Sequence, residues 1–170
     1  MAIDKIQSES INLTDNFAFT GIVSGVGGIT MVDSFRLNAN QSVSGNGTSL
    51  ISNYERVDTF SPGFIGTGMT ESSGIFTFPS TGIYKITSVM HFLASADSNY
   101  LRINHEISTD SGSSFDAQGE ANTHAKNGQY AAATQISTFD VTNTSTHKIR
   151  FQFRHNNSCL LYTSPSPRDT

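Results

Sequence analysis

The chain is predicted to fold as an all-β, antiparallel sandwich, on three observations. No window of a dozen residues keeps its apolar residues at helical spacing. Short runs of alternating apolar and polar residues recur along the 170 residues, with clusters of Gly, Asn, Asp and Ser between them. The stretch from Gly74 to Phe92, GIFTFPSTGIYKITSVMHF, has the form extended segment, tight turn, extended segment. A chain of this length is one domain by default and buries roughly 70% of its unfolded surface, enough for a core without staples.

Residues 1–32 read as a leader. Ile11 and Leu13 alternate, then Phe17, Phe19, Ile22 and Val23 follow, broken by Gly21, Gly25, Gly27 and Gly28: short extended pieces leading to a flexible joint. The GVGG at Gly25 to Gly28 is no dinucleotide fingerprint, because the third glycine and a helical flank are missing. Ser34 to Leu37 is predicted as a strand with Phe35 and Leu37 inward, Asn38 to Thr48 as loop with a turn at Asn46-Gly47, and Leu50 to Val57 as one strand. Phe60 to Met69, with Pro62, Gly63, Gly66 and Gly68, is expected to run irregularly over the surface.

In the central stretch, Pro79 keeps Phe78 out of the helical region, so Ile75 to Phe78 is extended. Pro79, Ser80, Thr81 and Gly82 supply turn chemistry, with glycine able to take a positive φ. The strand that follows sets Tyr84, Ile86, Ser88, Met90 and Phe92 on one face, and it reads as central rather than peripheral. After the turn LASADSN, Tyr100 to Ile107 places Leu101, Ile103 and Ile107 on one side and Arg102, Asn104 and Glu106 on the other. Asp110 to Ser114 is a turn, and Phe115 to Gly128 is polar and weakly patterned. Tyr130 to Val141 returns to strand with Ile136, Phe139 and Val141, and Lys148 to Arg154 has the cleanest alternation, with Ile149, Phe151 and Phe153 inward.

A net charge of -4, 14% charged residues and no Lys/Arg cluster leave no electrostatic footprint for nucleic acid. No apolar run approaches the roughly 20 residues of a membrane span, and MAIDKIQSES lacks a signal-peptide core, so a soluble product made in the cytoplasm is expected. The single cysteine, Cys159, excludes an internal disulfide and a cysteine-based zinc cluster. The five histidines show no pairing at metal-ligand spacing, and Asp110, Asp116 and Glu120 around a Ser/Gly loop fit no EF-hand. No G-x-S-x-G motif is present. Catalytic residues, cofactor ligands and metal ligands are therefore none.

Phe76, Gly82 and Tyr84 stand at the spacing aromatic, five residues, Gly-x-Tyr, with Ile86 where an aromatic is usual. This pattern resembles the C1q/TNF-like jelly-roll family, whose fold would pack Phe76 and Tyr84 inside the sandwich and use Pro79 to Gly82 to pass between sheets. The resemblance implies a homotrimer around a threefold axis. MAIDKIQSESINLTDNFAFTG and the run from Met69 to Tyr84 are similar to small structural proteins of marine bacteriophages, in which a leader precedes a C1q-like head.

Cys159 to Asp169, CLLYTSPSPRD, resembles an in-frame translation of a transposase adapter used in preparing sequencing libraries. The jelly roll is then expected over residues 33–158, with 159–170 non-native and the strand that should follow Ser158 in the middle of the inner sheet absent. The expected function is that of a non-enzymatic virion protein, a trimeric tail-fibre or capsid-decorating head. It would be joined to other virion proteins by residues 1–32 and would present loops 38–48, 94–99 and 110–128 to host-surface glycans. The alternatives are an extracellular C1q/TNF-like ligand, which would need an export signal, and a carbohydrate-cleaving enzyme of a phage appendage.

Overall fold

The structure, a computed structural model, describes residues 28–57 and 63–162. Fourteen strands and no helix run through them. The first seven are short: β1 Val32–Asp33, β2 Phe35–Leu37, β3 Gln41–Val43, β4 Gly47–Leu50, β5 Tyr54–Arg56, β6 Phe64–Ile65 and β7 Thr70–Ser72. Then come β8 Ile75–Thr77, β9 Gly82–Ala94, β10 Ser98–Ser108, β11 Asp116–Ala125, β12 Tyr130–Val141, β13 Lys148–His155 and β14 Cys159–Tyr162.

Two antiparallel sheets face each other. One has the order β11-β10-β13-β8-β7, with β4 also on β13; the other has the order β12-β9-β14-β3. Two small ribbons, β1-β6 and β2-β5, complete the architecture. The two long sheets close on a core in which Phe92 of β9 stacks on Phe153 of β13 with ring centroids 4.8 Å apart, both rings fully buried. Leu101, Ile103, Ile149, Val141 and Leu161 fill the space around them. This is the predicted all-β sandwich, and the alternation of β9, β12 and β13 explains it: one face of each strand is apolar and must be covered.

Several boundaries differ from the sequence expectation. Leu50 to Val57 is two strands, because Asn53 takes a positive φ of 63° and breaks the ladder between β4 and β5. The stretch 38–48 contains β3 and the start of β4, and 115–128 contains the ten-residue β11. The strand expected to be absent after Ser158 is in part present. β14 lies between β9 and β3, with Cys159 and Leu161 buried, because the position asks only for apolar residues at alternate places.

Where the described chain enters the domain, an ion pair secures it. Asp33 accepts from Arg56 Nε at 2.9 Å and Nη2 at 3.0 Å, and from the Met69 amide at 2.7 Å, with its own side chain almost wholly buried. The Arg56 guanidinium also lies against the rings of Phe35 and Phe64, at 4.9 and 4.8 Å from their centroids. One carboxylate thus ties together β1, β5 and the approach to β7.

Candidate functional site

The central stretch builds one end of the site. Phe76, on β8, is 3% exposed and meets Phe35, Tyr54 and Phe151 edge-on, with centroids 5.0, 5.0 and 5.5 Å away. Pro79 follows the buried Phe78, and the chain crosses from the β8 sheet to the β9 sheet between them and Gly82. Gly82 has φ 144° with open space where a Cβ would stand, so backbone conformation rather than crowding favours glycine there. Tyr84 packs on Phe78 at 4.7 Å, and its hydroxyl donates to the Ser80 carbonyl at 2.9 Å, closing the turn. Ile86 is half-buried on the same face of β9.

Beside this cluster a groove of about 580 Å³ opens between the sheets. Phe35, Phe76, Tyr84, Ile86, Met90, Ile149 and Phe151 wall it, with Ile29, Met31 and Val32 contributing from the start of the described chain. β14 pairs with β9 only from Ala94 to His91, so among the described residues the rest of β9, back to Gly82, has no neighbour on that side. Asp33, Tyr54, Lys85, Thr87 and Ser88 are the polar residues of its lining, and the Tyr54 hydroxyl is buried without a hydrogen-bond partner. Burial, helped by the nearby Glu71 carboxylate, pushes its phenol pKa up.

Behind Ser88 sits a polar chain. Ser88 Oγ is 2.8 Å from His105 Nε2, His105 Nδ1 is 3.0 Å from Ser137 Oγ, and Gln135 Nε2 donates to Ser137 Oγ at 3.1 Å. The set has the look of a nucleophile and its base, but each imidazole nitrogen is held by a serine hydroxyl and neither by a carboxylate that would orient the ring. The chain serves as a polar bridge between β9, β10 and β12. His105 itself is fully buried, and that burial lowers its pKa to about 4. Between pH 6.5 and about 4 the unfolded chain therefore binds a proton that the folded chain does not, so stability falls as the pH is lowered through that window. Urea midpoints across this range are expected to show the slope, and His105→Gln is expected to flatten it.

The other histidines do not converge. His91 and His124 lie outward on β9 and β11, and His155 is buried at the far end, stacked on Phe153 and 2.8 Å from the Gly45 carbonyl. Asp110 and Glu120 are separately occupied. Asp110 accepts from Ser108 Oγ, the Ser114 amide and Ser114 Oγ, which hold its carboxyl down at about 2, led by the Ser114 hydroxyl. Glu120 pairs with Arg102 across the strands. Among the described residues no group of three or more His, Cys, Asp or Glu could hold a metal ion.

The outer face of the β12-β9-β14 sheet is a second surface. Ile83, Val89, Ile136 and Tyr130 are exposed there at 69, 54, 54 and 67%. Val89 stands opposite Thr134 and Ile136 opposite Thr87, so the two apolar side chains are diagonal neighbours. Tyr130, Leu93 and Leu160 form one row across the three strands. At the end of the sandwich by Gly45 the turns gather: the Gly45 amide donates to Ser158 Oγ, Asn127 and Lys126 bind Asp97, and Asn157 Nδ2 donates to the Asp97 carbonyl.

No family model and no curated sequence matches the chain. Among solved structures, murine APRIL at pH 5.0 is similar at 13% identity and a TM-score of 0.51, over 77% of this chain and 95% of that one. The Eiger TNF of S. frugiperda is similar at 12% identity and 0.52, over 78% and 93%. At these identities the likeness shows a TNF-like jelly-roll fold.

Proposed function

We propose that the chain is the non-enzymatic, homotrimeric head of a virion structural protein, a tail-fibre or capsid-decorating domain. The observation that carries the oligomer is the apolar outer face of β9 and β12, where Ile83, Val89, Tyr130 and Ile136 are more exposed than isolated surface residues need be. Three copies packed by that face about one axis would cover it. The likeness of residues 1–21 to bacteriophage leaders supports the virion setting, with the leader joining the head to other virion proteins. The turns around Ser44–Asn46, Ser95–Asp97, Lys126–Gln129 and Asn156–Ser158 offer mostly neutral polar groups, beside the Lys126–Asp97 ion pair, at one end of the head, a chemistry that suits host-surface glycans. Three weak contacts of this kind on one axis gain by effective concentration.

Sedimentation equilibrium of the full chain at micromolar concentration is expected to give three times the monomer mass; a monomer would overturn the reading. Val89→Asp with Ile136→Asp is expected to shift the sedimenting species to monomer, since two charges would be buried unpaired in each contact. Both side chains are more than half exposed in the single chain, so the fold is expected to survive. The second reading, an extracellular ligand, is favoured by the fold similarity to murine APRIL and Eiger TNF. Gene neighbourhood separates the two: tail and capsid genes around the intact gene support the first, an encoded export signal the second.

A further inference from the structure

We propose that the facing guanidiniums of Arg102 and Arg154, gathered on the Tyr100 ring on the outer face of the β11-β10-β13 sheet, bind the carboxylate of an acidic sugar. This deepens the glycan contact proposed above by naming the sugar class, and it rests on that reading for the choice of a saccharide.

The fold brings together cations that the sequence keeps far apart. Alternation turns Arg102 outward on β10 and Arg154 outward on β13, and the antiparallel register sets them directly across from each other. Like charges in facing positions repel. Both guanidiniums lie against the Tyr100 ring, 4.9 and 5.9 Å from its centroid, and the negative face of the ring offsets part of that repulsion. Glu120 answers only one of the two. Arg102 Nη1 donates to both Glu120 oxygens at 3.2 Å, while Arg102 Nε is buried without an acceptor. Arg154 is exposed and, among the described residues, has no ion-pair partner. Farther along the same face Arg150 shows a completed pairing: its Nε donates to Glu106 at 2.7 Å and its guanidinium covers the ring of Phe115.

The surroundings select the anion. A guanidinium fork matches a planar carboxylate through two parallel hydrogen bonds. A doubly charged phosphate would meet Glu120, whose side chain is 46% exposed beside Arg102, with about twice the repulsion. In the row across the sheet Asn122 faces Arg102 and Thr48 faces Arg154, both exposed and neutral. The Tyr100 hydroxyl donates to Asn46 Oδ1 at 3.2 Å and its amide to Asn156 Oδ1 at 3.4 Å, so the patch runs into the turns at the end of the head. An acidic peptide would find no ladder for its main chain, because β10 lies between β11 and β13, and β13 at Arg154 lies between β10 and β4. A sugar acid brings a carboxylate for the arginines and hydroxyls for the asparagines and Thr48.

The test is equilibrium dialysis of the full chain against tri-galacturonate, with galactotriose as the neutral counterpart. Saturable binding of the acidic trisaccharide is expected, with galactotriose bound roughly tenfold more weakly or worse. Arg154→Gln is expected to weaken tri-galacturonate by roughly tenfold or more at an unchanged urea midpoint, since the side chain is exposed and unpaired. Lys148→Gln, which removes an equal charge about 20 Å away along the same strand, is expected to leave binding as it was. Absence of saturable binding, an affinity untouched by Arg154→Gln, or a capped tri-glutamate or a sulfated trisaccharide bound as tightly as tri-galacturonate overturns the proposal. Galactotriose bound as tightly overturns it too, yet leaves the wider glycan reading standing. Selective binding by a chain that sediments as a monomer supports it while the trimer fails.

Discussion

Ending the chain at Ser158 is expected to abolish cooperative unfolding. β14 is only four residues long, but it sits between β9 and β3, so its removal strips a ladder partner from both at once. Leu161 is fully buried and Cys159 is 2% exposed, with burial pushing the thiol up to about 12, and the space they leave opens directly onto Phe92. Loss of a buried leucine alone costs about 2–5 kcal/mol, against a total of about 5–15 for an ordinary domain. Lost strand pairing adds to that. Urea titration followed by near-ultraviolet circular dichroism should therefore show no sharp transition for the shortened chain. The point substitution Leu161→Asp should behave almost as badly, whereas Leu160→Ala, on the outer face, should shift the midpoint little. An unchanged transition in the shortened chain would mean that Cys159–Tyr162 is dispensable.

Phe76→Ala is expected to destabilise the protein by about 3–5 kcal/mol, the range for emptying a buried phenylalanine site. The reason is its position in a ring cluster rather than its size alone. Phe35 and Tyr54 come from the β2-β5 ribbon, Phe151 from β13, and Phe76 touches all three. Removing it loosens the ribbon from the sheet and widens the groove that the ring already lines. Phe76→Leu keeps most of the volume and should cost less. Ile83→Ala, on the outer face, should change the unfolding free energy of the monomer by about a few tenths of a kcal/mol at most.

Strands buried on one face were legible in the sequence and strands without large apolar residues were not. Tyr130–Val141 has the predicted bounds, because Phe139 and Val141 face the core while Thr138 and Asp140 face out. β11 went unseen, since its inward positions are Gly119, Ala121 and Thr123. A Cβ at Gly119 would meet the Gln135 amide, the end of a flexible side chain that would have to move aside. β3 was hidden in NANQSVSGNGT, whose only large apolar residue is Val43. His105 left a signal that could have been used: it occupies the inward place in the run Leu101, Ile103, His105, Ile107, where a polar side chain demands partners. Which partners it found, Ser88 and Ser137, lie 17 and 32 residues away and belong to the opposite sheet.

From residue pattern alone came the fold class, the inner and outer faces of β9, β10 and β13, and the turn at Pro79–Gly82, because each depends on neighbours a few positions apart. Register, the insertion of β14 between β9 and β3, the groove and the apolar patch on the outer face came from the tertiary structure. They depend on which distant strands lie side by side, and an alternating segment carries no mark of the strand it will pair with.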